Sequence, residues 1–153
     1  MQRRILFAGL AVLAFSAACL AADVTAGTWK LNTAKSKPAA GAAHYDTVTI
    51  ASEGANMKVT LDGTDAAGKP VHSEWVGKYD GKPYPIKGNP DMDSGAYKKV
   101  NEHTFEYTGM KGGKAATSAK ITYSADGKSR TVTSSVTDAK GKKTSGMSVY
   151  EKQ

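Results

Sequence analysis

The stretch Gly27-Thr28-Trp29-Lys30-Leu31 decides how this chain is read. A glycine two residues ahead of a tryptophan, at the head of a first strand, suits a closed antiparallel barrel. The glycine lets the backbone bend, and the tryptophan is placed to plug one end of the barrel floor. Downstream, the chain is rich in Thr, Val, Tyr and Ser, which favour strands, and is punctuated by glycine-containing turns. Helical periodicity is hard to find there.

Strands are expected at 26–31, 47–51, 56–62, 71–79, 84–87, 94–100, 104–111, 115–124, 129–137 and 144–151. Segment 34–43 is rich in Ala, Pro and Gly; Pro38 argues against a continuous helix, leaving a loop with room for one helical turn. Pro83, Pro85 and Pro90 limit the next proline-rich stretch to a very short strand and a loop, so 82–91 reads as a mobile rim. Alternation puts Met57, Val59 and Leu61 on one face, and likewise Val71, Ser73, Trp75, Gly77 and Tyr79. The same parity groups Ala119, Ile121 and Tyr123, then Val132, Ser134 and Val136, and finally Met147 and Val149.

About ten short strands with closely spaced turns are the mark of an all-β barrel or sandwich. Large apolar residues are sparse in each strand. A two-layer sandwich would want more of them, whereas a sheet closed on itself uses one inward face and leaves Thr, Lys and Ser outside. Closure also removes exposed edges. The expectation is one all-β domain over 23–153, an up-and-down antiparallel barrel. Gly77, Gly109, Ala119 and Ser134 are small inward residues. They fit either a tightly packed narrow barrel or an internal cavity.

Four turns resemble one another: Asp65-Ala66-Ala67-Gly68-Lys69, Asp80-Gly81-Lys82, Asp126-Gly127-Lys128 and Asp138-Ala139-Lys140-Gly141-Lys142. A true β-repeat would produce this. Recurring turn chemistry explains it more simply, because Asp supplies a side-chain bond to the backbone and Gly a positive φ.

Ahead of the barrel, residues 1–22 read as a helical secretory signal peptide. Arg3 and Arg4 form its basic start, 5–18 its apolar run, and Cys19-Leu20-Ala21-Ala22 its cleavage region. The run is short for a membrane span, and no other is long enough. The chain is therefore expected to be exported, to a periplasm or beyond. Cys19 has two readings. It is discarded with an ordinary signal, or it is the lipidated cysteine of a bacterial lipoprotein. Ser16 stands where a lipobox usually has Leu, which favours the first. Once Cys19 is removed, disulfides and thiolate metal sites are excluded.

The formal charge of +7 falls to +5 without Arg3 and Arg4, leaving Arg130 as the only arginine. Nucleic-acid readers favour arginine forks. Lysines scattered over turns and strand faces instead fit a soluble surface with guarded strand edges, so no nucleic-acid partner is expected.

Gly27-Thr28-Trp29, the leader and the meander of hairpins resemble the lipocalin-like (calycin) superfamily, in which a Gly-x-Trp motif begins strand one of an up-and-down barrel. The chain is also similar to a group of uncharacterised exported bacterial proteins. Their mature chains open with the pattern seen at 27–32 and 34–37 and end with that at 149–152. The chain departs from the lipocalin pattern in having no arginine near its last strand, no cysteine pair and no clear final helix.

The calycin resemblance implies a secreted, non-catalytic carrier holding a small apolar or amphipathic ligand in the cup, without cofactor or metal. Strand parity nominates Trp75, Tyr79, Phe105, Tyr107, Ile121, Tyr123, Val132 and Met147 as its lining. The competing reading is that they fill the core of a structural or interaction protein of the bacterial envelope. A continuous internal void of several hundred Å³, the scale of ordinary ligand pockets, separates the two. Arg130 shares the parity of Val132 and is placed either to anchor a carboxylate or phosphate head at the barrel mouth or to snorkel from the rim. His72 and Glu74 share a face and could begin a metal site only if His44 or His103 joined them; a solvated face is the simpler reading. Asp91-Met92-Asp93-Ser94-Gly95 lacks the later ligands of a calcium loop and reads as a turn. A nucleophile elbow, a zinc-protease helix, a phosphate loop and cysteine pairs are all missing from the sequence, so no catalytic residue is nominated.

Overall fold

The structure is a computed structural model that describes residues 23–138 and 140–153. The signal peptide and Cys19 lie outside the described residues. Ten antiparallel strands close into one barrel: β1 (Gly27–Leu31), β2 (His44–Glu53), β3 (Asn56–Thr64), β4 (Pro70–Gly77), β5 (Tyr84–Lys87), β6 (Ser94–Asn101), β7 (Thr104–Lys111), β8 (Lys114–Tyr123), β9 (Ser129–Thr137) and β10 (Lys143–Lys152). Each strand pairs with its sequence neighbours, and β1 closes the ring by pairing with both β2 and β10. The segment after β1 contains a single 3-10 turn, Thr33–Lys35.

Ring closure converges on the opening motif. Trp29 sits opposite Val48 on β2 and Lys152 on β10. Gly27 has a φ of 135°, and a Cβ there would meet the Lys152 side chain, so the position demands glycine. Trp29 is fully buried, donates from Nε1 to the Thr25 carbonyl at 3.0 Å, and stands edge-on to Tyr123 at 5.3 Å. It plugs the floor as its position in the motif predicts. An aromatic layer continues above it through Phe105, Tyr79, Trp75 and Tyr97, with ring centres 4.7–6.2 Å apart. This layer fills the lower barrel, and Trp75, Tyr97 and Phe105 share the core with Val48, Ile50, Val59 and Ile121.

The recurring turns use one device. Asp65, Asp80, Asp126 and Asp138 each accept a bond on Oδ1 from the backbone N–H two residues on, at 2.9–3.0 Å. This is shared turn chemistry in hairpins of different lengths.

The short β5 makes only a few pairings on each side. Trp75 reinforces it by reaching across to the Gly95 carbonyl on β6, at 2.8 Å from Nε1. The rim loop that follows is held at several points. Asn89 Nδ2 donates to the Tyr45 hydroxyl at 2.9 Å, Lys111 Nζ to the Pro90 carbonyl at 2.9 Å, and the Gly112 N–H to Asp93 at 2.7 Å.

Inward parity follows expectation in β3, β4 and β8, where Val59, Trp75, Ile121 and Tyr123 are buried, and in β9, where Val132, Ser134 and Val136 face the interior. In β10 it is reversed. Met147 is 38% exposed, and Ser148 and Tyr150 face inward instead. Tyr150 is larger than Val149 and its hydroxyl bonds the Tyr45 carbonyl at 3.0 Å, which fixes the register. Met147 stays outside, where its backbone pairs with Lys37.

Candidate functional site

Above the aromatic layer the barrel is hollow. The cavity measures about 770 Å³ and is bordered at its mouth by residues 41–43, Ala66, Asp91, Lys111, Lys114 and Gly141. Its wall is uneven. Tyr45, Tyr97, Tyr107 and Tyr150 supply large rings, while Ala115, Ala119, Ser134, Val132 and Val136 on β8 and β9 are small. These short side chains leave the inside of the ring unfilled.

The base of the cup is Arg130. It is only 5% exposed and begins β9 at the closed end of the barrel, opposite Tyr123 on β8 and Tyr150 on β10. Its guanidinium carbon lies 5.7 Å from the Tyr123 ring centre and 5.2 Å from that of Tyr150. Two rings therefore hold the cation through their π faces. Nε and Nη1 are buried and have no hydrogen-bond partner among the described residues. Asp23 accepts on Oδ1 from the Thr25 N–H and hydroxyl, at 2.9 and 2.8 Å, and makes no direct bond to the guanidinium. Arg130 also borders a second, floor void of about 10 Å³, lined by Thr25, Tyr79, Tyr97, Phe105 and Tyr123. That is room for a single water.

The surrounding tyrosines supply no negative charge. Burial pushes the phenols of Tyr79, Tyr97, Tyr123 and Tyr150 up, and the Arg130 charge only partly opposes it. Burial raises Tyr107 as well. All are neutral hydroxyls at physiological pH. A lone guanidinium cannot shed its proton, so the cup ends in a positive charge that no acid among the described residues contacts directly.

The nominated residues divide between two levels. Tyr107, Ile121, Arg130 and Val132 line the cup. Tyr79, Phe105 and Tyr123 lie lower, around the floor void, and Trp75 is packed into the core at 3% exposure. Met147 lies outside the barrel wall. Arg130 is deep in the barrel rather than at its mouth, because β9 enters from the closed end.

Tyr45, Tyr97 and Tyr150 line the cup without having been nominated. Tyr97 was within reach of the sequence, since it pairs with Tyr107 across β6 and β7. Tyr45 was not. A bulge between Tyr45 and Thr47 shifts the parity of β2, turning Tyr45 in and leaving Asp46 exposed.

Outside the barrel, His72 pairs with Asp62 at 2.5 Å and lies 3.8 Å from Glu74, on a solvated face. The expected turn at residues 91–95 is capped by Asn89, whose Oδ1 accepts from the N–H groups of Asp91 and Met92 at 2.9 and 3.1 Å. Among the described residues, no helix is long and apolar enough to cross a membrane.

Fold and cup together define a closed, ten-stranded antiparallel barrel with a deep internal cavity and a buried cation at its base. No protein-family model matches the chain, and no curated protein matches it closely enough to stand as a relative.

Proposed function

We propose that this protein is an exported, lipocalin-like carrier of a small amphipathic anion, held with its charged head toward Arg130 and its apolar body along the cup. The observation that carries this reading is the buried Arg130 guanidinium, without an acidic partner, at the base of a cavity of about 770 Å³. A cavity of that size falls within the roughly 300–1,000 Å³ of ordinary small-molecule pockets. A buried ion without a partner is destabilising by several kcal/mol. A ligand carboxylate offers it charge-assisted hydrogen bonds.

Shape narrows the ligand class. From Arg130 to Val136 the strand runs roughly 20 Å at about 3.3 Å per residue, which at the usual barrel tilt of about 40° is a depth of about 15 Å. A single extended chain with one terminal acid group suits that depth. Tyr97 and Tyr107 on β6 and β7, and Tyr150 on β10, give broad, rigid contact surface on either side of the small residues of β8 and β9, which leave space between. The role in this reading is transport or storage of the acid.

The other reading, an envelope interaction protein with a filled barrel, is disfavoured by the cavity. Native mass spectrometry of protein purified from its own compartment tests the choice. A co-purifying organic acid supports carriage. Protein that arrives empty and takes up no long-chain acid when offered one returns the reading to an interaction role.

A further inference from the structure

We propose that Arg130 holds one small monovalent anion of chloride size at the base of the cup when no amphiphile is bound, and that this anion and the carried head group exclude one another. This site shares Arg130 with the carrier reading. Its first test needs no amphiphile, however, so the two can fail separately.

The starting point is charge balance. Arg130 is 5% exposed, and its Nε and Nη1 atoms lack any hydrogen-bond partner. Among the described residues no carboxylate forms an ion pair or hydrogen bond with it. Asp23 accepts two bonds from Thr25. Asp91 and Asp138 border only the mouth of the cup, and Asp138 accepts from the N–H groups of Lys140 and Lys142 at 2.9 Å each. The encircling Tyr79, Tyr97, Tyr123 and Tyr150 are neutral. An uncompensated charge at this depth is costly, and the empty protein must draw its counter-charge from solvent.

Geometry sets the ion's class. One cavity includes both the mouth residues and Arg130; at the rim Lys111 and Lys114 are balanced by Asp91 and Asp138, so the cation at the base is what draws an anion inward. The site carries one buried positive charge, because those lysines lie at the far end of the cup. A divalent oxyanion would therefore be left with excess charge. A monovalent ion matches the guanidinium, and the floor void of about 10 Å³ admits a single water beside it. A carboxylate head entering from the mouth must take the same donors, which makes the two ligands competitors.

The test uses the purified protein freed of lipid, melted in mixtures of sodium chloride and sodium gluconate at constant ionic strength. Gluconate, whose hydroxylated chain is a poor match for an apolar cup, serves as the weakly competing counter-ion. The expected result is a saturable rise in melting temperature with chloride, on the order of 2–5 °C for a domain of this size. Arg130→Met should lose that rise. Identical melts in the two salts, or a rise retained in Arg130→Met, would overturn the anion site. Chlorine-35 NMR of the wild-type protein gives a readout that does not depend on the variant folding. Saturable line broadening that is reversed by palmitate is the expected result. Absence of broadening refutes the site, and broadening that palmitate leaves untouched refutes the exclusion.

Discussion

The guanidinium of Arg130 rests 5.2 Å from the ring centre of Tyr150, whose own hydroxyl is committed to the Tyr45 carbonyl. Tyr150 thus positions the cation through its π face and leaves the N–H groups free. A charge held this way adds specificity for an anion while weakening the empty fold. Replacing a buried ion by an apolar residue of similar volume is often neutral, or stabilising by about 1–4 kcal/mol. Arg130→Met should therefore fold with stability equal to or above wild type. Urea unfolding of the lipid-free proteins checks this, and a clear loss of stability would mean that Arg130 is internally compensated.

Trp29 bears the closure of the ring. It touches both strands that β1 joins and covers the floor beneath Tyr123. Trp29→Ala should lower stability by about 3–5 kcal/mol, as large-to-small changes at buried aromatics do. A change below 1 kcal/mol in urea unfolding would show that the barrel closes without its plug.

The cup's volume comes from its short side chains, and filling it should separate binding from folding. Ala119 and Ser134 face the cavity from β8 and β9. A double change, Ala119→Leu with Ser134→Leu, inserts apolar volume into empty space and removes no core contact. Thermal stability should hold or rise, while affinity for a long-chain acid falls at least tenfold. Equal affinity in this variant would place the ligand elsewhere.

The turn aspartates give the fold an acid limit. Backbone and side-chain bonds hold the Asp80 and Asp126 carboxyls below the usual aspartate range. The Gly112 N–H does the same for Asp93. Their folded values lie under the unfolded one. The stability they add is therefore complete above the ordinary aspartate value and lost as pH falls through the lowered folded values. Their contribution to melting temperature should be constant near neutrality and decline below about pH 4. Asp126→Asn, which keeps an acceptor oxygen without the charge, should shallow that decline. An unchanged slope would assign the acid sensitivity to other carboxylates.

Much of the fold was legible because closely spaced turns and alternating side chains both report on strands. Gly27 and Trp29 marked the closing strand, and Asp-Gly pairs marked hairpins, since both signals are local. The site was only partly legible. Arg130 was readable by parity, but its depth depends on which end of the barrel is plugged, which is a tertiary property. The reversal at Met147 arose because two apolar residues, Met147 and Val149, outvoted one Tyr150 in the pattern, whereas packing favoured the ring. The β2 bulge escaped altogether. Its trace in sequence is Gly63, where a Cβ would run into the His44 carbonyl oxygen, and nothing local distinguishes that glycine from one in a turn.

The most direct measurement is calorimetric titration of the lipid-free protein with palmitate and with hexadecanol, its neutral counterpart, in gluconate buffer. The account predicts one palmitate per chain, bound about 10–100-fold tighter than the alcohol, as a charge-assisted hydrogen bond of about 1.5–3 kcal/mol implies. Arg130→Met should erase that preference. Palmitate and hexadecanol bound equally by the wild-type protein, or neither bound at all, would contradict it.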